Sequence, residues 1–310
     1  ATAPGVLAVL TAADVAADGL GTLPNLADVP NWDGAAMVTP PRPLLATDRV
    51  RHVGEPVAFV IAESLAEAKD AAELIAVDYH ALSSVTATAK APQPGAPTIW
   101  DEAPDNVCFE WSDGDKDEVD TAIAGSAHAT ALDVVNNRVL LAATETRGAI
   151  GDYNPADGRF TLYATTQMPH GLKKALANFV FRVPENRIRV LVGDVGGGFG
   201  GKNGLGPEQI LVLWASRRIG RPVKWIEDRL EHLTAGNSAP NRVTTISAAV
   251  KADGKVTALR LDHLDDYGAF LRSPMPGPIY RMHGASTGAY DIRNLAINVR
   301  VVMTNKMPAG

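Results

Sequence analysis

Between positions 196 and 206 seven of eleven residues are glycine, in the run GGGFGGKNGLG. Glycine leaves its backbone N–H unobstructed and allows left-handed dihedrals, so such a loop can surround an anion or an oxo group with main-chain donors alone. Two phosphate-binding spacings fit part of it. Gly196, Gly198 and Gly201 satisfy G-x-G-x-x-G after a strand-like run, with Glu227 as a candidate ribose-binding acid. Gly196 to Lys202 also fills the first seven places of GxxxxGK. Against both, KNGLG separates the last of these glycines from the next helix, so a phosphate would lack its seat on a helix N-terminus. Glu227 comes later than the roughly 20 residues a dinucleotide site uses, and Asn203 stands where Ser or Thr would hold magnesium. Spacing alone leaves the ligand open.

Other polar residues give weaker signals. The seven histidines show no HxH or HxxxH pairing, and the single Cys108 excludes a disulfide framework or a cysteine-ligated zinc or iron-sulfur site within the chain, so no metal is expected to be held by direct protein ligation. Cys108 in NVCFEW reads as a buried thiol. His52 and Glu55 in RHVGEP, and Glu145 and Arg147 in ATETRGAI, read as structural or interfacial groups, and His170 as a residue packed at a helix start.

The composition is ordinary for a globular protein: 310 residues, 46% hydrophobic, 21% charged, net charge -6. Without a clustered Lys/Arg excess the chain is no nucleic-acid binder. No run approaches the roughly 18 uncharged apolar residues a membrane span needs, and the start lacks the basic region of a signal peptide. With a single cysteine, a reducing cytoplasm is the expected compartment.

A length prior of about 100–200 residues per domain favours two domains. EPVAFVIA (55–62) reads as a strand, Ser64 as the cap of a helix LAEAKDAAELI (65–75), and AVDYHAL (76–82) as a second strand. Residues 1–85 thus form a small α/β unit, and the Pro-rich stretch 86–105, with Pro92, Pro94, Pro97 and Pro104, reads as a linker. Beyond it, TALDVVNNRVLLAA, GRFTLYATTQ, RIRVLVGDV, RPVKWIED, VTTISAAV, KVTALRLDHL and LAINVRVVMT have strand character. PHGLKKALANFVF (169–181) and PEQILVLWASRRI (207–219), the latter opened by Pro207, read as helices. The fold class is α+β, with mixed sheets and packed helices over 106–310.

The stretch from TTQMPHGLKKALANFVF through RIRVLVGDVGGGFGGKNGLG to RPVKWIEDRLEHL resembles the molybdopterin-binding region of the xanthine dehydrogenase, aldehyde oxidase and aerobic carbon monoxide dehydrogenase family. PPRPLLATDRVRHVGEPVAFVIAESLAEAKDAAELIAVDYHAL is similar to the hammerhead α/β domain that precedes it there. The resemblance implies that Gln167, in TTQMPH, contacts the oxo group of molybdenum, an apt role because its amide NH2 donates without adding charge. It implies that Gly197, Gly198, Phe199, Gly200 and Gly201 approach the metal's oxygen ligands and the pterin, and that Phe199 and Asn203 face the substrate. Lys202 would end the motif near the pterin or a buried carboxylate. Asn203 departs from the Glu of purine-oxidising members, which tilts the reading toward aldehydes or other small substrates.

The same resemblance implies hydroxylation of an aldehyde, N-heterocycle or small carbon substrate with water as the oxygen source. The cofactor would be molybdenum-molybdopterin in the cytosine dinucleotide form, with [2Fe-2S] clusters and FAD on partner subunits. The chain is expected to be incomplete at both ends, with the catalytic glutamate outside it, to belong to a hetero-oligomer, and to be inactive alone.

Overall fold

The computed structural model describes residues 3–27, 29–273, 275–276 and 285–309. Along the chain run β1 (Val6–Leu10), α1 (Ala12–Ala17), β2 (Phe59–Ala62), α2 (Leu65–Glu73), β3 (Val107–Asp113), α3 (Lys116–Ala124), β4 (His128–Asn136), β5 (Gly148–Asn154), β6 (Arg159–Ala164) and α4 (Pro169–Ala175). Then follow β7 (Ile188–Leu191), α5 (Pro207–Ile219), β8 (Val223–Ile226), α6 (Arg229–Ala235), β9 (Asn241–Val250), β10 (Val256–Asp266) and β11 (Asn294–Val302). This is an α+β fold of mixed sheets and packed helices. It resolves into two compact units, one drawn from residues up to 24, 41–82 and 140–237, the other from 25–40, 83–139 and 238–310.

In the first unit β1 pairs antiparallel with β2, and a four-stranded sheet runs β7-β6-β5-β8. Within that sheet only β6 and β7 are parallel. They are joined through α4, because a parallel connection must carry the chain back along the sheet. Helix α5 lies directly on β5. A Cβ on Gly151 would stand 2.4 Å from the backbone of Val212, so glycine is what permits the approach. Glu208 to Ser216 of α5 are all buried, and Leu162, Leu172 and Leu176 belong to the same core as its Ile210 and Leu213. Trp214 donates its indole N–H to Asp18 at 2.6 Å.

Ser64 caps α2 as its sequence predicts, accepting from the Glu67 N–H at 3.3 Å. The strand expected over 55–62 is confined to Phe59–Ala62. The strand expected over 76–82 does not form: the stretch is exposed and pairs with no strand among the described residues, so its backbone has no ladder to join. The helix expected over 169–181 is α-helical only to Ala175. It widens into a π-helical turn over Leu176–Phe181 and stops at left-handed Arg182, two residues before Pro184, which has no N–H to donate.

The second unit holds a five-stranded sheet in the order β3-β11-β10-β9-β4, parallel only between β10 and β11. Cys108, Phe109, Val299 and Val301 form its core, and α3 covers the other face through Val119 against Ala249, Ala258 and Ala296. The Pro-rich stretch 86–105 packs into this core through Ala91, Ile99 and Ala103. Asn106, at a left-handed φ of 60°, donates to the Ala91 and Pro97 carbonyls and accepts from the Ile99 N–H.

Candidate functional site

Parallel strands end at the same edge of a sheet, and their following loops meet there. Gln167 follows β6 and the glycine run follows β7, so the topology brings together two segments almost 30 residues apart. They are zipped closely. The Gln167 N–H donates to the Lys202 carbonyl at 3.0 Å, and Gln167 Oε1 accepts from the N–H groups of Gly200 (3.0 Å) and Lys202 (3.3 Å). The Gln167 oxygen is therefore spent on the loop. Its amide NH2 makes no hydrogen bond among the described residues, and the side chain is exposed.

The loop's own donors divide in the same way. Gly196 N–H goes to Glu145 Oε2 at 2.7 Å, and Gly201 and Asn203 N–H go to the Gly198 and Gly200 carbonyls. Gly197, Gly198 and Phe199 donate to no group among the described residues. Gly197 (φ 96°), Phe199 (φ 51°) and Gly200 (φ 92°) have positive φ while Gly198 does not. Alternation of hand is the backbone pattern in which successive N–H groups can converge on an anion. Phe199 is held left-handed, which costs a non-glycine residue of order 1–3 kcal/mol, and its ring is 73% exposed.

Glu145 and Lys202 form the charged edge of the loop. Lys202 Nζ lies 2.5 Å from Glu145 Oε2, and its side chain is almost fully buried. The hydrogen bond from Lys202, aided by the Gly196 N–H and the Lys202 charge, holds the Glu145 carboxyl below the usual carboxylate range despite some burial. Lys202 thus meets the carboxylate of Glu145, which is part-exposed and not the buried carboxylate expected for it. Asn203 Oδ1 is buried with no partner.

A second ionic network stands behind β5 and β8. Arg147 donates to Glu227 Oε1 from Nε (3.0 Å) and Nη2 (2.7 Å), and to Glu208 from Nη1 (3.0 Å). Its guanidinium also sits 5.6 Å from the centre of the Trp225 ring. Burial works against the Arg147 charge, but Glu208 and Glu227 outweigh it. Glu227 takes a further bond from His232 Nδ1 at 2.9 Å. The acid proposed for a ribose is therefore buried and fully engaged. His170 is exposed in the first turn of α4, while His52 and Glu55 bond within their own turn, to the Val53 carbonyl and the Arg51 N–H.

Sequence reading missed α6 and its role. Arg229 Nη2 donates to the Ala143 and Thr144 carbonyls, both at 2.9 Å, and His232 Nε2 contacts the Leu141 carbonyl at 3.1 Å. Asn237 Nδ2 reaches the Gly201 carbonyl at 3.0 Å. The signal was present in DRLE, where Asp228 and Glu231 form a capping box.

Free at the site are three backbone N–H groups and one amide NH2, with the buried Asn203 Oδ1 an unpartnered acceptor in the same loop. The donors suit an electron-rich oxygen. Among the described residues no three His, Cys, Asp or Glu side chains gather to hold a metal ion directly, and His283 lies outside those residues. No helix among them is long and apolar enough to cross a membrane.

Two family models together cover almost the whole chain. The molybdopterin cofactor-binding domain matches residues 99–310, and the aldehyde oxidase and xanthine dehydrogenase a/b hammerhead domain matches 1–83. The chain belongs to the molybdopterin-binding large subunits of the xanthine dehydrogenase, aldehyde oxidase and carbon monoxide dehydrogenase family. It is 38% identical over 312 residues to the nicotine 6-hydroxylase large subunit of Paenarthrobacter nicotinovorans, covering 99% of this chain and 37% of that one. To the carbon monoxide dehydrogenase large chain of Hydrogenophaga pseudoflava it is 33% identical, covering 99% and 38%. The carbon monoxide dehydrogenase structure from Oligotropha carboxidovorans superposes with a TM-score of 0.90 at 33% identity, over 100% of this chain and 39% of that one. The chain therefore spans under two fifths of the length of these relatives. The dinucleotide reading of Gly196, Gly198 and Gly201 finds no support among them.

Proposed function

We propose that this chain is the cofactor-holding part of a molybdenum-dependent hydroxylase, with a hammerhead domain over 1–85, a connecting stretch over 86–105 and the first cofactor domain over 106–310. The observation that carries the proposal is the unspent donor set: the N–H groups of Gly197, Gly198 and Phe199 beside the amide NH2 of Gln167. When bound, the molybdenum cofactor supplies Lewis-acid activation of water and a two-electron acceptor. Gln167 would donate its amide to an oxo ligand without adding charge, its oxygen being committed to the loop. The backbone of Gly197 to Gly201 would hold the pterin, and the cytosine dinucleotide form is the expected cofactor. Phe199, exposed above the loop, forms a wall of the substrate pocket together with Asn203.

The substrate is an aldehyde, an N-heterocycle or a small carbon compound. Nicotine and carbon monoxide in the names of the relatives fall within that range. An amide at Asn203 brings no negative charge to a purine, which favours the non-purine classes. The catalytic glutamate, [2Fe-2S] clusters and FAD lie on other segments or partner subunits of a cytoplasmic hetero-oligomer, and the 310-residue chain alone gives no turnover.

Metal analysis and fluorescence of the oxidised pterin, on the chain purified within its native complex, test the proposal. Stoichiometric molybdenum and pterin are expected. A bound nicotinamide or adenine nucleotide in their place would overturn it, as would turnover by the isolated chain for the claim of dependence on partners.

A further inference from the structure

The pattern of free donors in the loop needs an explanation that the glycines alone do not provide, because glycine permits many loop shapes and selects none. One carboxylate oxygen makes the selection at the ends. Glu145 Oε2 accepts from the Gly196 N–H at 2.7 Å and from Lys202 Nζ at 2.5 Å, and so ties the first residue of GGGFGGK to the last. Gln167 then fixes Gly200 and Lys202 from the other side. What remain without an acceptor are the N–H groups of the middle, Gly197 to Phe199.

We infer that Glu145 is a positioning residue that closes the Gly196–Lys202 loop, and that α6 sets Glu145 in place. Arg229 holds the carbonyls of Ala143 and Thr144, immediately before Glu145. His232 meets the Leu141 carbonyl, and the Leu141 side chain lies against Gly201, where an added Cβ would be 3.3 Å away. On the other side of Glu145, Thr146 donates to the Glu227 carbonyl at 2.7 Å, and the Glu227 N–H returns to the Arg147 carbonyl at 2.9 Å. The 141–147 segment is thus bonded along its length to 227–232, and a carboxylate projecting from its middle has little freedom. The Gly196 contact is as close: a Cβ there would lie 2.6 Å from the Glu145 Cβ, so the loop has no room to open towards Glu145. Both ends of the loop meet the one atom Glu145 Oε2, on a backbone segment fixed elsewhere, and the Glu145 N–H also donates to the Gly196 carbonyl at 3.4 Å. This inference rests on the loop holding the cofactor.

The test compares Glu145→Ala with Glu145→Gln in the assembled holoenzyme. Gln keeps an acceptor oxygen for Gly196 and Lys202, whereas Ala removes both bonds. Four quantities are read: thermal midpoint, pterin retained after dialysis, the electron paramagnetic resonance spectrum of the bound molybdenum, and kcat with KM. The expected result is that Glu145→Ala loses pterin on dialysis tenfold or more faster than wild type and shows an altered molybdenum spectrum. Glu145→Gln should stay within about threefold of wild type, with the native spectrum. Two results would overturn the inference: both variants matching wild type in retention and spectrum, or both being equally impaired in step with a lowered thermal midpoint, which would make Glu145 a general fold residue. Wild-type complex that itself carries no pterin would instead sink the functional proposal.

Discussion

Gly198→Ala separates what the loop does for stability from what it does for the site. A Cβ at position 198 would stand 2.5 Å from Gln167 Oε1, 2.7 Å from its Cδ and 2.9 Å from its Cγ. Non-bonded contacts of this kind settle at about 3.5 Å, so the Gln167 side chain must retreat by about 1 Å. The backbone need not move, since Gly198 has no positive φ and the obstacle is an exposed, flexible side chain. Retreat breaks the two bonds from Gly200 and Lys202, each worth about 0.5–1.5 kcal/mol net of the water that replaces it, so the stability loss should be about 1–3 kcal/mol. The folded state survives a loss of that size, whereas the rate should fall roughly 10²-fold if the donor proposed at Gln167 is displaced by about 1 Å.

The assay is kcat of the assembled enzyme beside its thermal midpoint, with Gly193→Ala as control. Nothing lies within 4 Å of a Cβ at Gly193, so that variant should behave as wild type. Gly198→Ala turning over within threefold of wild type, with normal pterin content, would refute the geometry argued for Gln167.

Arg147→Met leaves the buried carboxylates of Glu208 and Glu227 without their counter-charge, which typically costs about 3–5 kcal/mol, and chemical denaturation of the purified chain should show it. Burial alone would raise the Glu227 carboxyl, but the hydrogen bonds and charge of Arg147, with His232, outweigh it and hold it below its ordinary 4.5. A depressed folded pKa gives stability that is complete above about 4.5 and fades as pH falls through the folded value. The gap between wild type and Arg147→Met should accordingly shrink on acidification below about 4.5, and a gap that widens would contradict the network. Cys108 is 2% exposed, and burial pushes its thiol well above the usual range, so a thiol-reactive disulfide reagent should label it only after unfolding.

How far the sequence disclosed this arrangement depended on whether a residue's partner was near in the chain. Helix α5 was legible from Pro207 and an unbroken apolar run, and α2 from Ser64 and its period, since caps and periodicity are local. The strand assigned to 76–82 had local β character but no neighbour to pair with, and pairing is not written in the segment itself. Likewise the glycine run announced that something approaches the backbone closely, yet it fitted three ligands. What discriminates them is which N–H groups are already spent, and the groups that spend them, Glu145 and Gln167, lie 51 and 33 residues away from their partners Gly196 and Gly200.

That dependence explains why Glu145 read as an ordinary ion pair. An ion pair on a surface is worth little, typically about 0–1 kcal/mol, and nothing in ATETRGAI distinguishes one that closes a loop. The distinction arises from topology. Parallel β6 and β7 deliver Gln167 and the glycines to one edge, while antiparallel β5, between β6 and β8, carries the segment that includes Glu145 to the same loop. A dinucleotide fold would have put its phosphate on the N-terminus of α5. Here that terminus begins only at Pro207, after KNGLG, and the Gly206 N–H is taken by Gln209 at 3.0 Å. Within the loop the donors left for a ligand are those of its middle, Gly197 to Phe199, and which N–H groups stay free is set by two side chains as well as by the glycines that made room for them.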